Sequence, residues 1–483
     1  MSGFVGILHL DSQTVDPLLL SKLNQSMAGR GPDAQRCWVR DFVGMGHTQL
    51  QTTIECQFDQ QPAHLEGQFW IVADARIDDR PTLIQILEAH GSPPLHDRPD
   101  SELILWAYRV WGEDCVSHLL GDFAFAIWDD GAKKLFCARD RFGIKPFFYS
   151  HPGKIFLFSN TLNCLRKHPQ VSNRLNDLAI ADFLVLERHH TLDATAFADI
   201  SRLPPAHVLS LRLGSLLQLR QYWTLSLPTP LNYRNPEDYC EQFRAVMRVA
   251  VADRMRRDRA GLFLSGGLDS TTLAAFAREV LPQKFYPSPL STCTGYYDQL
   301  IPDEEPHYVQ SVVDELELSA HYLNVDSYLP CGWWQDPQFP SPEPRADPFL
   351  AISIDSLRYL GRQCRVVLGG YGGDPIQFSS NRYFFTLLRQ WRWGQIAQAM
   401  LQYSRWHDRL PPVGIRTQLR QWLGRNRSDS PTLPPWLNPG LVRQYSLRER
   451  YQGSSPTFTA QSGDRQEVFE GIDPMHWVSL FER

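Results

Sequence analysis

The hexapeptide Ser-Gly-Gly-Leu-Asp-Ser at residues 265–270 is the feature that most constrains this chain. The apolar run Gly261–Leu264 precedes it and predicts a short buried strand, and a helical pattern at Thr271–Val280 follows it. A loop at such a junction leaves unpaired backbone N–H groups at the positive end of the helix dipole, which favours an anion. The two glycines let the backbone approach that anion closely, and the two serine hydroxyls can add donors.

The aspartate of this loop indicates which anion would bind. Asp269 would oppose a bare phosphate unless a cation lies between the two. We therefore interpret the loop as a site for the pyrophosphate of Mg²⁺-bound ATP. The alternative is an ordinary strand-to-helix turn capped by serine or aspartate. The complete string in this context favours the nucleotide site.

Composition limits the remaining possibilities. A chain of 483 residues is long enough for two or three domains, each with its own core. Its net charge of −5 implies no general attraction to nucleic acid or to an anionic membrane. No apolar run reaches the length of about 18 residues that would predict a membrane span. Nine scattered cysteines without a CxxC pair favour reduced thiols, so we expect a cytoplasmic protein.

The two halves of the chain differ in pattern. Alternating and apolar runs predict mostly strands in the first half, with helical patterns among them, which is an α+β pattern. In the second half strands alternate with helices, which predicts a parallel sheet that binds ligands at the carboxyl ends of its strands. We place a first domain at 1–213, a linker at 214–238 and a second domain at 239–483.

A second glycine-rich loop, Gly369–Asp374, follows another predicted buried strand at Arg365–Leu368. It could be a simple turn, but both loops lie just past strand ends, so we expect them to face one site. Asp269 and Asp374 would then supply the two carboxylates that a Mg²⁺–ATP site uses.

These motifs and several others resemble the asparagine synthetase superfamily over nearly the whole chain. The resemblance implies an N-terminal-nucleophile-type sandwich domain, related to glutamine amidotransferases, followed by an α/β ATP-pyrophosphatase-like domain that adenylates a carboxylate. The matching segments, besides the two loops, are Gly3–Ile7, Arg30–Asp33, Leu120–Asp129 and Ala138–Pro146. The residues that the resemblance assigns to ATP and pyrophosphate are Leu264, Ser265, Gly266, Gly267, Asp269, Ser270, Thr294, Gly369 and Gly370.

The first half departs from the family at its glutamine site. The family's N-terminal cysteine falls on Ser2, and the arginine that holds the glutamine carboxylate falls on Gln49. The triplet that forms part of the oxyanion hole begins at Asp74, and a carboxylate there would repel an oxyanion. Asp100 matches the acid that holds the glutamine amine. We expect these four glutamine-site positions to be vestigial, although Ser2 remains an alternative nucleophile.

The second half departs at two places. Tyr371 stands where asparagine synthetases have a glutamate, and in β-lactam synthetases a tyrosine there helps to deprotonate the attacking amine. We assign Tyr371 as a candidate catalytic residue, with a structural role as the alternative. The family's C-terminal lysine has no counterpart because no lysine follows Lys284. We therefore expect the second domain to lack the family's C-terminal segment.

Together these features predict an ATP-dependent amide-forming enzyme whose amine comes from the substrate. The style of the first half is closest to lasso peptide cyclases, which implies a precursor peptide as substrate and a leader-binding protein and a leader protease as partners. An asparagine synthetase, using glutamine or ammonia, and a β-lactam-type synthetase remain alternatives. The alternative from another class is a catalytically dead binding scaffold.

Overall fold

The computed structural model describes residues 1–226, 231–281, 289–335, 341–370, 387, 391–407 and 433–451. The described residues fall into two compact units. The first unit contains 1–225 and the described part of 231–370, and the second contains the described residues after 370. Tyr371 and Asp374 lie outside the described residues.

The first part of the first unit consists of two antiparallel sheets. Their strand orders are β10-β8-β9-β1-β3-β2 and β12-β11-β7-β6-β5-β4. The strands are β1 (Gly3–His9), β2 (Ala34–Arg40), β3 (Val43–Gln49), β4 (Ala63–Leu65), β5 (Phe69–Ile77), β6 (Gly121–Asp129), β7 (Lys134–Arg139), β8 (Phe148–Ser150), β9 (Ile155–Ser159), β10 (Ser201–Arg202), β11 (His207–Arg212) and β12 (Gln218–Gln221).

Helices cover the outer faces of both sheets. They are α1 (Pro17–Gln25), α2 (Arg80–Ala89), α3 (Asp100–Trp111), α4 (Cys115–His118), α5 (Leu162–Leu165) and α6 (Asp177–Leu186). Alternate residues of β6 show the layering: Phe123 and Phe125 pack under α2 and α3, whereas Ala124 and Trp128 pack against the other sheet. Both faces are buried, so the strand is apolar from Phe123 to Trp128, and the sandwich predicted for this half is confirmed.

The rest of the first unit is built on a parallel sheet of order β15-β14-β13-β16. Its elements are α7 (Pro236–Arg254), β13 (Ala260–Phe263), α8 (Leu268–Val280), β14 (Leu290–Tyr296), α9 (Glu305–Leu316), β15 (Ser319–Asn324), α10 (Leu350–Gly361) and β16 (Val367–Leu368). The parallel sheet predicted from the alternating pattern is confirmed. The carboxyl ends of β13 and β16 lie side by side, because Leu262 pairs with Leu368.

The second unit contains helices among its described residues. These are α11 (Trp393–His407), α12 (Pro439–Gln444) and α13 (Leu447–Arg450). The side chain of Asn438 caps α12 by accepting a hydrogen bond of 2.8 Å from the N–H of Gly440. In the described part of the chain, no helix has both the length and the apolar character needed to cross a membrane.

The segment predicted as a linker contains part of both neighbouring structures. Gln218–Gln221 form the edge strand β12, which pairs with β11, and α7 already begins at Pro236. The start of the linker at 214 is therefore corrected, since the second sheet extends beyond it. All four side chains of β12 are exposed, so the strand has no apolar alternation by which sequence could reveal it.

Candidate active site

The loop between β13 and α8 is held in shape by its own serines. The hydroxyl of Ser270 accepts a hydrogen bond of 3.1 Å from the N–H of Ser265 and donates one of 2.9 Å to its carbonyl. The two hydroxyl oxygens lie 3.0 Å apart. The Ser270 hydroxyl, expected from sequence to face an anion, thus also braces the loop across its two ends. This bracing fixes the direction of the backbone that follows.

The start of α8 is open to an anion. Gly267 is its N-cap residue, and the N–H of Gly267 donates a hydrogen bond of 3.4 Å to the hydroxyl of Ser265 within the loop. Because glycine has no side chain, the N-cap residue itself offers no acceptor to the backbone N–H groups of the first turn. Asp269 lies in this turn and is half-buried. The positive end of the helix dipole at such a start favours an anion, such as a phosphate group.

Neighbouring strands bring the other predicted residues to this loop. The hydroxyl of Thr294 donates a hydrogen bond of 2.7 Å to the carbonyl of Leu264. A Cβ atom placed on Gly370 would lie 3.4 Å from the Cβ of Asp269, so the loop that follows β16 through Gly369 reaches the start of α8. The parallel order of β14, β13 and β16 explains this meeting, because parallel strands end at one edge.

One neighbour of the loop was not predicted. A Cβ atom on Gly266 would lie 2.9 Å from the Cβ of Tyr308, on α9. Gly266 therefore has no room for a side chain, which gives this glycine a packing role as well as a conformational one. No sequence pattern pairs α9 with the loop. Tyr371 and Asp374, the predicted catalytic residue and second metal ligand, lie outside the described residues.

At the glutamine-site positions, polar side chains are engaged by the chain itself. The amide nitrogen of Gln49 donates to the carbonyls of Cys56 at 2.7 Å and Asp59 at 3.2 Å. The hydroxyl of Ser2 accepts a hydrogen bond of 3.0 Å from the N–H of Leu50. Both side chains are buried, and both serve to hold the loop that follows β3.

Asp74 lies in a buried cluster of positive charges. Its Oδ1 lies 3.0 Å from the Nζ of Lys145. Burial raises the pKa of Asp74, but Lys145, the N-terminal amine and Arg30 outweigh it and hold the pKa below its usual value. Burial also lowers the pKa of the Met1 amine to about 5, although Asp74 opposes this effect. A carboxylate kept charged here would repel an oxyanion, and the loss of glutaminase function that this implies stays a prediction.

Asp100 is the most fully occupied of the four positions. It accepts a hydrogen bond of 2.9 Å from the N–H of Ile77 and forms a salt bridge with Arg80. Arg256, which follows α7, places its Nη2 2.5 Å from the other carboxylate oxygen of this residue. Glu55 lies 3.5 Å from Arg256 and completes the network. This carboxylate, which matches the acid that holds the glutamine amine in the family, therefore lies against two guanidinium groups of the chain.

Comparison with known proteins supports this two-part organisation. The model of the glutamine amidotransferase domain matches residues 1–223, and that of asparagine synthase matches residues 242–482. This chain belongs to the asparagine synthetase superfamily. One superfamily member therefore contains both the Ser265–Ser270 loop, in its synthetase part, and the glutamine-site positions, in its amidotransferase part.

Three relatives come from Bacillus subtilis (strain 168) and are named glutamine-hydrolyzing asparagine synthetases. Asparagine synthetase 3 is 30% identical over 282 residues, covering 57% of this chain and 45% of that protein. Asparagine synthetase 2 is 27% identical over 398 residues, covering 77% and 51%. Asparagine synthetase 1 is 28% identical over 397 residues, covering 79% and 59%. The chain thus spans about half the length of the curated relatives it matches.

Proposed function

We propose that this chain forms amide bonds in an ATP-dependent reaction that does not draw its amine from glutamine. The observation that carries the proposal is the occupation of Asp100 by Arg80 and Arg256. Glutamine would have to displace a buried guanidinium group, which would leave that charge without its partner. The open start of α8 supports the other part of the proposal, a site for the phosphates of ATP.

The proposed reaction has two steps. A substrate carboxylate oxygen attacks the α-phosphorus of ATP and displaces pyrophosphate, and the product is an acyl adenylate. An amine then attacks the acyl carbon, AMP leaves, and a base takes the proton of the amine. The backbone N–H groups at the start of α8 would hold pyrophosphate, and Thr294 would keep β14 and the loop in register through its bond to Leu264.

The residues at this loop suit a magnesium ion. Oxygen ligands are what Mg²⁺ prefers, and the carboxylate of Asp269 stands in the first turn of α8 beside Gly370. Asp269 and Asp374 would hold the ion. When bound, it would neutralise charge on the phosphates. We keep Tyr371 as the proposed base that receives the amine proton.

We propose that the amine and the carboxylate belong to one precursor peptide, so that the product is a macrocycle of the lasso type. This finer assignment rests on the sequence resemblance of the first half. Intramolecular attack gains from proximity once the peptide is folded in the site. A leader-binding protein and a leader protease would then be partners, and the reaction would take place in the cytoplasm.

An ammonia-using asparagine synthetase is the second candidate. The names of the relatives favour it, and the occupied Asp100 disfavours only the use of glutamine. A β-lactam-type synthetase differs from the peptide cyclase in taking a small amino-acid substrate. A binding scaffold without turnover would bind the nucleotide and release no AMP.

The test measures AMP release from Mg²⁺–ATP by the full chain with three sets of substrates. These are aspartate with ammonia, aspartate with glutamine, and candidate precursor peptides, each beside a nucleotide-binding measurement. We expect AMP with a peptide and none with aspartate and glutamine. Aspartate-dependent AMP together with asparagine would overturn the cyclase and establish an asparagine synthetase. Binding without AMP under every condition would establish a scaffold.

A further inference from the structure

The end of α7 and the segment between α7 and β13 lie against the amidotransferase part at several points. A carboxylate oxygen of Asp253 accepts a hydrogen bond of 3.3 Å from the N–H of Asp79. The carbonyl of Arg256 accepts one of 3.2 Å from the N–H of Ile54, so the main chain also takes part. Next to it, Arg257 donates a hydrogen bond of 3.1 Å to the carbonyl of Gln51.

Arg256 lies at the centre of this contact. Its Nη2 and Nη1 lie 2.5 Å and 3.3 Å from the two carboxylate oxygens of Asp100, which is a two-pronged arrangement. The side chains are only 14% and 7% exposed. With Arg80 and Glu55 the network holds two positive and two negative groups, so the buried charges balance.

This network differs in kind from the exposed ion pairs of the same part. Arg244 and Glu237 on α7 also lie 2.8 Å apart, but their side chains are 54% and 55% exposed. Water screens such a pair, and its contribution to stability is small. Removal of Arg256 would instead leave Asp100 and Glu55 with one guanidinium group between them in a buried place.

The strand β13 connects Arg256, and with it this network, to the Ser265–Ser270 loop. The strand β13 begins four residues later, at Ala260, and its carboxyl end leads directly into the loop at Ser265. The strand is central in the parallel sheet, with β14 and β16 on either side. A constraint on its amino end therefore acts on a rigid element and not on a free loop.

We propose that Arg256 is a positioning residue whose guanidinium group, seated on Asp100 and Glu55, holds the amino end of β13 and so places the Ser265–Ser270 loop. An acid that relatives would use for an amine of the substrate has become an anchor for the chain's own arginine. The inference deepens the proposed function, since it rests on the loop binding ATP. It makes the amidotransferase part necessary for the synthetase part without any glutaminase reaction.

The test replaces the missing side chain with a free ion. We expect Arg256→Ala to weaken the binding of a non-hydrolysable Mg²⁺–ATP analogue about 2- to 30-fold and to lower the thermal midpoint of unfolding by about 5 °C. Guanidinium chloride at millimolar concentration should restore the midpoint, because the ion fits the vacated place beside Asp100 and balances its charge. It should not restore the affinity for the analogue, because the free ion is not attached to the chain that leads into β13. Sodium chloride of equal ionic strength should restore neither.

Matched variants make the result decisive. Arg244→Ala removes an exposed arginine from α7, the helix that precedes Arg256, and should change neither value. Arg256→Lys keeps the charge but loses the two-pronged contact, so it should show a smaller loss if Arg256→Ala fails to fold. Unchanged binding and midpoint in Arg256→Ala, or equal recovery in sodium chloride, would overturn the proposal. Wild-type protein that binds no ATP would instead refute the proposed function, while the midpoint and its recovery would still test the anchor.

Discussion

The polar groups at the glutamine-site positions and those in the loop after β13 differ in their partners. At the first, Asp100 and Asp74 are paired with arginine and lysine side chains of the same chain. At the second, the N-cap residue of α8 is a glycine, and the hydroxyls of Ser265 and Ser270 form hydrogen bonds within the loop itself. A buried polar group needs a partner, and for Asp74 and Asp100 that partner is a charged side chain of the same chain.

The difference concerns what neutralises a buried acid. A buried carboxylate is unfavourable unless a cation lies beside it. Arg256 provides that cation for Asp100, and because Arg256 belongs to the synthetase part, it also joins the two parts of the unit. At the start of α8 the N-cap residue is a glycine, and the serine hydroxyls bond within the loop.

The largest expected effect tests the loop as a working site. We expect Asp269→Ala to lower kcat/KM for ATP about 1,000-fold, or about 4 kcal/mol of transition-state stabilisation, because the proposed Mg²⁺ loses a carboxylate ligand. AMP release measured against ATP concentration checks this. Asp258→Ala, an exposed aspartate that precedes β13, serves as the control. Equal activity of wild type and Asp269→Ala would remove the contrast between the two regions.

A second effect extends the comparison to another contact between the two parts. Glu343 lies 2.6 Å from Arg202 and 3.2 Å from His189, and all three side chains are largely buried. Glu343→Gln should lower the free energy of unfolding by about 3 kcal/mol, since the buried ion pair between residue 343 and Arg202 is lost. Chemical denaturation at pH 7 measures this loss. The exposed pair between Arg358 and Asp355 offers a control in Asp355→Asn.

The same residue gives a pH dependence with a definite sign. Burial raises the pKa of Glu343, but Arg202 and His189 outweigh it, so the pKa falls from 4.5 to about 2. A lowered folded-state pKa stabilises the fold at pH values above 4.5, and this contribution disappears as the pH falls towards 2. The stability difference between wild type and Glu343→Gln should therefore shrink between these pH values. A constant difference would contradict the assignment.

A third effect sharpens the view of the glutamine-site positions as structural. Gln49→Leu removes the side-chain amide that donates to the carbonyls of Cys56 and Asp59, and we expect it to cost about 2 kcal/mol of unfolding free energy. Gln35→Leu changes an exposed glutamine of the neighbouring strand and should cost little. If Gln49→Leu left stability unchanged but altered AMP release, this position would belong to a working site.

The smallest expected effect concerns the support of the loop. Thr294→Val removes the hydrogen bond of 2.7 Å to the carbonyl of Leu264 and should cost about 1 kcal/mol, with a modest rise in KM for ATP. Thr292→Val on the same strand removes a contact of 3.5 Å to Ser319, and its effect should be smaller. Thermal unfolding and ATP titrations of the two variants give the comparison. A larger effect from Thr292→Val would show that the loop does not depend on this bond.

Local patterns predicted most of the elements. The strand at Gly261–Leu264 corresponds to β13 and the helix at Thr271–Val280 to most of α8, because burial on known faces leaves a regular apolar spacing. The exposed strand β12 was missed for lack of such spacing. Gly369 and Gly370 were expected beside the Ser265–Ser270 loop because both segments follow parallel strands, and parallel strands end at one edge of a sheet.

The sequence by itself determined the two parts, the layers of each and the place of the Ser265–Ser270 loop, because these depend on periodicity and on motifs within short segments. Only the tertiary structure decided what became of the glutamine-site positions. Asp100 and Arg256 are 156 residues apart, and no spacing rule pairs an acid with one of the chain's many arginines. Which charges meet is settled when the two parts pack together, since burial then requires each charge to find a partner.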